Sequence, residues 1–315
     1  MTRRVWSHAL AVLALGCLQA SVALAEDKPA EEAPSYSKNG ADTCLNCHGG
    51  APEVMGIFRT KHAQPNDPRT PFGHGQLQCE ACHGPGGAHT KRPKKGEERT
   101  PVVQFGRGKA STIAEQNPMC LACHNSYMGD WHVSAHNDNG VGCADCHKVH
   151  DPRDPVRNKA TQVDVCRKCH QLQVADSLLP FAHPVREGQM ACTSCHSPHG
   201  SLADASLKRD TINETCYTCH ADKRGPFLWE HQPVSEDCAL CHKPHGSAQA
   251  GMLKQRPPFL CQQCHEAQGH PSVAGTPSGL PGGSNPSAYL LASGCANCHS
   301  QVHGSNHPSG TWLTR

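Results

Sequence analysis

Apolar positions gather once along this chain. The run Val5–Leu24 is largely apolar, broken only by short polar positions such as Ser7, His8 and Gln19. Arg3 and Arg4 precede it, and Ala23-Leu24-Ala25 closes it. A basic start, an apolar stretch and a small-x-small end predict a secretory signal peptide over residues 1–25. The run is too short and too interrupted to be read as a membrane-spanning helix. Cys17 follows Gly16, but the residues before it fit a lipid-attachment site poorly, and apolar residues continue beyond it.

After the leader the pattern changes. Residues 26–43 begin EDKPAEEAPSYS, charged and proline-containing, which predicts a flexible tether. From Thr43 onward apolar and aromatic side chains are sparse, and the alternation of a half-buried strand is absent. With 29 Gly and 25 Pro in 315 residues, the reading is a mostly irregular chain with short α-helices and no β-sheet. Such a chain cannot bury enough side-chain surface to offset the entropy of ordering it. Its core must come from something other than side chains.

The cysteines supply the candidate. Of 21 cysteines, 20 lie in ten Cys-x-x-Cys-His runs: Cys44/Cys47/His48, Cys79/Cys82/His83, Cys120/Cys123/His124, Cys143/Cys146/His147, Cys166/Cys169/His170, Cys192/Cys195/His196, Cys216/Cys219/His220, Cys238/Cys241/His242, Cys261/Cys264/His265 and Cys295/Cys298/His299. On one helical turn the first, fourth and fifth positions share a face. Two thiols can then bond the two vinyl groups of a haem while the imidazole takes its iron, which is the c-type attachment signature. A zinc knuckle or redox pair would not require His after every pair. Ten covalently bound c-type haems are expected. Haem is attached after export, so the Sec route is expected for the leader.

The ten runs form five pairs, starting at 44, 120, 166, 216 and 261. Each pair offers a candidate His between its two runs: His62, His136, His183, His231 and, much closer to its run, His270; His74 and His132 also lie between runs and are left unassigned. A second His follows the pair: His89, His150, His199, His245 and His303. These ten supply as many distal ligands as ten bis-histidine haems need. His74 competes with His62, and His307 with His303. A His three residues past a proximal ligand cannot reach round the same porphyrin, so the followers should bind the far face of a different haem.

Two loops break the period. Gly84–Pro118 carries Lys91, Arg92, Lys94 and Lys95, and Pro271–Gly294 is rich in Pro, Gly and Ser without charge. The whole chain holds 29 Lys and Arg against 27 Asp and Glu, and removing Arg3 and Arg4 with the leader balances them. Haem propionates would then make the holoprotein acidic. No nucleic acid partner is indicated.

The segments Leu77–His89 (LQCEACHGPGGAH) and Cys295–Gly310 (CANCHSQVHGSNHPSG) resemble the MtrA/DmsE/PioA family, the decahaem cytochromes of outer-membrane porin–cytochrome complexes. The likeness runs from about Cys44 to the C-terminus. It implies an elongated multihaem wire, all bis-histidine, within an outer-membrane β-barrel porin. It also implies two pentahaem halves, which would meet near 171–191, inside the third of the five pairs. Residues 44–315 are expected to form this decahaem domain.

The expected function is an electron conduit between periplasm and cell exterior, fed by periplasmic electron-transfer cytochromes. Electrons would go out to metal oxides, an extracellular multihaem cytochrome or a reductase, or come in from ferrous iron. A soluble periplasmic carrier is the alternative. A multihaem redox enzyme would need an open iron position, and no run departs from Cys-x-x-Cys-His to provide one. No catalytic residue is expected.

Overall fold

A computed structural model describes residues 34–265 and 295–314. The leader, the start of the tether, His270 and the loop 271–294 lie outside the described residues. The described part holds short helices in irregular chain, as the sequence predicts. They are α1 (Ala41–His48), α2 (Pro52–Met55), α3 (Glu80–His83), α4 (Ile113–His124), α5 (Ala135–Asp138), α6 (Cys143–Cys146), α7 (Lys159–Cys166), α8 (Gln171–Asp176), α9 (Ile212–Tyr217) and α10 (Gln232–Glu236). Among the described residues there is no strand, only isolated bridges such as Phe181 with Ser247 and Trp229 with Ser305.

The Cys-x-x-Cys-His runs are where the chain turns. Two of them end α1 and α4, and those at Cys192, Cys238, Cys261 and Cys295 open single 3₁₀ turns. Outside α1 and α4, each of the other eight closes a bond from the His N–H to the first Cys carbonyl at 2.9–3.0 Å. That one turn puts both thiols and the imidazole on one side. α4 is the longest helix, at 12 residues. A capping box starts it, with Glu115 Oε2 accepting from the Thr112 N–H at 2.6 Å and from its hydroxyl at 2.9 Å.

Side chains do not make a core. Among the described residues the buried apolar side chains are Ala41, Ile57, Trp131, Val174, Ala191 and Leu313, and no large side chain is fully buried. Buried polar groups instead tie runs together in pairs. The amide oxygen of Asn117 accepts from the Cys143 N–H at 3.0 Å, and that of Asn213 from the Cys238 N–H at 2.7 Å. Gln162 Oε1 accepts from the Thr193 N–H at 3.0 Å. At the start of the described chain, Glu80 accepts from the Ser37 N–H at 2.9 Å and its hydroxyl at 2.7 Å, so the end of the expected tether is held to the second run.

Successive pairs are interleaved through the segments that carry the following histidines. Gly200 and Gly246 come directly after His199 and His245, at φ of 111° and 143°. A Cβ at Gly200 would overlap the Asp130 carbonyl oxygen, and one at Gly246 that of Asp176. Glycine therefore lets each such segment lie against backbone contributed by the preceding pair.

Candidate functional site

All twenty cysteines of the ten runs line one continuous cavity of about 5640 Å³. An ordinary small-molecule pocket measures about 300–1,000 Å³, so this one has room for a row of large planar groups. The same cavity is lined by nineteen of the twenty histidines singled out in the sequence. The twentieth, His270, is outside the described residues. His74, His132 and His307 do not line it.

The histidines face one another in twos. Ring centroids are 6.3 Å apart for His48 with His89, 6.1 Å for His62 with His124, 6.2 Å for His83 with His150, and 6.0 Å for His136 with His170. The series continues with His147 and His199 at 6.0 Å, His183 and His220 at 6.3 Å, and His196 and His245 at 6.0 Å. It ends with His231 and His265 at 6.0 Å and His242 and His303 at 6.1 Å. Two metal–nitrogen bonds of about 2.0–2.1 Å, plus the distance from each nitrogen to its ring centre, also come to about 6 Å. The spacing suits one iron between each two imidazoles.

Every such duo joins a His of a Cys-x-x-Cys-His run to one of the intervening or following histidines. A rule emerges from the partners. The intervening His of one pair meets the first run of the next pair, and the following His meets the second run of the preceding pair. His89 has no preceding pair and meets His48, within its own.

The other ring nitrogens are occupied in a way that fixes orientation. Nδ1 lies 2.8 Å from the Val103 carbonyl in His83, 2.9 Å from that of Ala205 in His196, and 2.7 Å from that of Gly251 in His242. In His136, His183 and His231 it meets the carbonyls of Pro198, Pro244 and Val302 at 2.7–3.0 Å. Each of those carbonyls belongs to the residue before a following His of the next pair. A carbonyl requires the proton on Nδ1, leaving the Nε2 lone pair to bind metal. Among the described residues, His147 has a side-chain partner there, Asp154 Oδ2 at 2.7 Å. Burial pushes the imidazole pKa down at His62, His150, His199, His245 and His303, and the closeness of other basic side chains adds to it. Neutral imidazole is the form that binds iron.

His307 is turned to other work, its Nδ1 accepting from the Ser309 N–H at 3.1 Å.

The thiols give the order of the sites. Within each pair the first cysteines of the two runs are in side-chain contact: Cys44 with Cys79, Cys120 with Cys143, Cys166 with Cys192, Cys216 with Cys238, and Cys261 with Cys295. Between pairs it is the second cysteines that are close enough to interact electrostatically. These are Cys82 with Cys123, Cys146 with Cys169, Cys195 with Cys219, and Cys241 with Cys264. The ten runs therefore follow one another in sequence order, each beside the one before and the one after. Cys166 and Cys192 adjoin as the other pairs do, with no change of arrangement at the expected midpoint.

Sequence reasoning passed over the amides that hold paired runs together. Asn117 and Asn213 each stand three residues before the first Cys of a pair, and Gln162 stands four before. The recurrence of Asn117 and Asn213 at one phase of the repeat is a signal the sequence does carry. Asp154 has no counterpart in the repeat and no such signal.

The doubled CXXCH motif family matches residues 183–225 and 231–270, and the cytochrome c-type protein NrfB-like family matches residues 79–169. The chain is 47% identical over 283 residues to the multiheme cytochrome MtrA of Shewanella baltica (strain OS185), covering 89% of this chain and 83% of that protein. It is 29% identical over 126 residues to the cytochrome c-type protein NrfB of Escherichia coli O6:H1, covering 39% of this chain and 60% of that one.

Proposed function

The chain belongs to the MtrA family of multihaem c-type cytochromes, and from that premise we propose that it is an electron conduit across the outer membrane. It is a multihaem electron-transfer cytochrome with covalently bound c-type haems. In this reading there are ten, and the holoprotein sits in an outer-membrane β-barrel porin. Bound haem supplies reversible one-electron chemistry at its iron. The chain's own part is to hold ten such groups in file. Paired thiols would tether each one, and the facing imidazoles would hold its iron from both sides, leaving no position for a substrate. Two histidines also keep potentials below those of a His/Met pair.

The observation that carries the reading is the nine facing imidazole pairs along a single row of cysteine runs. Continuing the rule, the fifth pair has no successor, so His270 serves His299 within its own pair, as His89 serves His48. Residues 1–25 are the leader, 26–43 the lead-in and 44–315 one decahaem domain located in the periplasm and barrel. Periplasmic cytochromes would exchange electrons at one end, and an extracellular cytochrome, reductase, metal oxide or ferrous iron at the other.

A barrel is required on physical grounds. No helix of the described residues is long and apolar enough to cross a membrane. Irregular backbone is tolerated at membrane depth only when protein encloses it, and the hydrocarbon layer is about 30 Å thick. A closed barrel with a polar lumen meets that need. The cytochrome and its candidate barrel, placed in liposomes that hold an impermeant redox dye, should let an external reductant change the dye's colour only when both are present. Equal transfer without the barrel, or none with it, would leave the soluble carrier as the better reading.

The histidine assignment is testable separately. His62→Ala should turn one haem in ten high-spin, because it removes the imidazole facing His124. His74→Ala and His307→Ala should leave the spectrum unchanged. A high-spin signal in either of those two variants would reverse the corresponding assignment.

A further inference from the structure

We propose that Asp154 sets the potential of the fourth haem, the one attached at Cys143 and Cys146, below the value its carbonyl-supported counterparts have. The proposal rests on the haem ligation read above.

The repeat itself supplies the comparison. In the second run of four pairs the proximal His Nδ1 meets a backbone carbonyl: Val103 for His83, Ala205 for His196, Gly251 for His242 and Trp312 for His299. The remaining second-run His is His147, and its acceptor is the Asp154 carboxylate at 2.7 Å. The other Asp154 oxygen accepts from the Lys148 N–H at 3.1 Å, which fixes the carboxylate beside the ring. A carboxylate accepts a stronger hydrogen bond than a neutral carbonyl. It draws the Nδ1 proton away from the ring and makes Nε2 a more electron-rich ligand. Such a ligand stabilises ferric over ferrous iron, so the potential falls.

The surroundings strengthen the effect. The Asp154 side chain is only 14% exposed. On the opposite side, His199 stands edge-on to the indole of Trp131, a buried residue, at 6.3 Å between ring centroids. Charge in so dry a place is screened less than at the surface. The nearby Asp145 carboxylate faces Arg107 at 3.1 Å, which offsets its charge, whereas Asp154 is directed at the axial imidazole.

Asp154 is thus a positioning residue whose chemical effect reaches the iron through His147. The test is Asp154→Asn, which keeps an acceptor of the same shape but removes the charge. With ten haems still attached, one tenth of the total absorbance change in a redox titration should move to higher potential. A tenfold change in the reduced-to-oxidised ratio, about 59 mV for one electron, is the expected size. Asp154→Glu should restore the low value. The wild type provides a second test that needs no variant. One of its ten ferric signals in electron paramagnetic resonance should show the smaller g anisotropy of an imidazolate-like ligand. A titration of Asp154→Asn that superimposes on the wild type, or ten wild-type signals all of neutral-imidazole character, would overturn the proposal. Wrong haem number or high-spin iron in the wild type would instead overturn the ligation reading.

Discussion

Made without haem, this chain should remain unfolded. Its apoprotein should give the circular dichroism of a disordered chain and melt without a cooperative transition. The reason is in the packing. The few buried apolar side chains, among them Ile57, Trp131 and Val174, are scattered along the chain. They are too few to offset the backbone entropy of ordering so much irregular structure. The interior is instead one large cavity, lined among other side chains by all twenty thiols of the runs and nineteen imidazoles. Small domains that fold around a metal behave in this way when the metal is withheld. A structured apoprotein with a sharp melt would mean that a polypeptide core exists and that haem is added to it.

Removing one haem from the middle should stop end-to-end transfer. The thiol contacts run Cys166 to Cys192 and then Cys195 to Cys219, so the site at Cys192 joins its two neighbours with no second route beside it. Cys192→Ala with Cys195→Ala should give a protein nine haems heavy by intact mass. In barrel-containing liposomes its transfer should fall to the background of empty vesicles, although the haems on either side still reduce from their own ends. Transfer above a tenth of the wild-type rate would show that the sites are not in single file.

Much of this was legible in the sequence, for a physical reason. Haem attachment demands two thiols and an imidazole on one turn, so Cys44–His48 and its nine repeats declare themselves without any tertiary information. The sparse apolar side chains likewise announced an irregular chain with short helices. The supply of ten further histidines could be read from their phase in the repeat. Their partners could not. His83 meets His150 across an inserted loop and the whole third and fourth runs, and His62 meets His124 while His74, closer in sequence, stays outside the cavity. Such choices depend on how neighbouring pairs interleave, as where Gly56 lies against the His150 carbonyl, which spacing does not encode. The acceptors at Nδ1 were hidden for a similar reason. Most are backbone carbonyls, and every residue has one, so only Asp154 has a side chain that could have been singled out.

The most direct test of the whole arrangement is magnetic. Intact mass should first give the mature chain plus ten haems. Electron paramagnetic resonance of the fully oxidised protein should then account for all ten irons as low-spin, and the reduced protein should not take up carbon monoxide readily. That result is expected if two imidazoles, both strong-field ligands, hold every iron and leave no position open. A high-spin signal worth one iron in ten or more, with carbon monoxide bound in the same proportion, would contradict it and point to an open site where chemistry beyond electron transfer takes place.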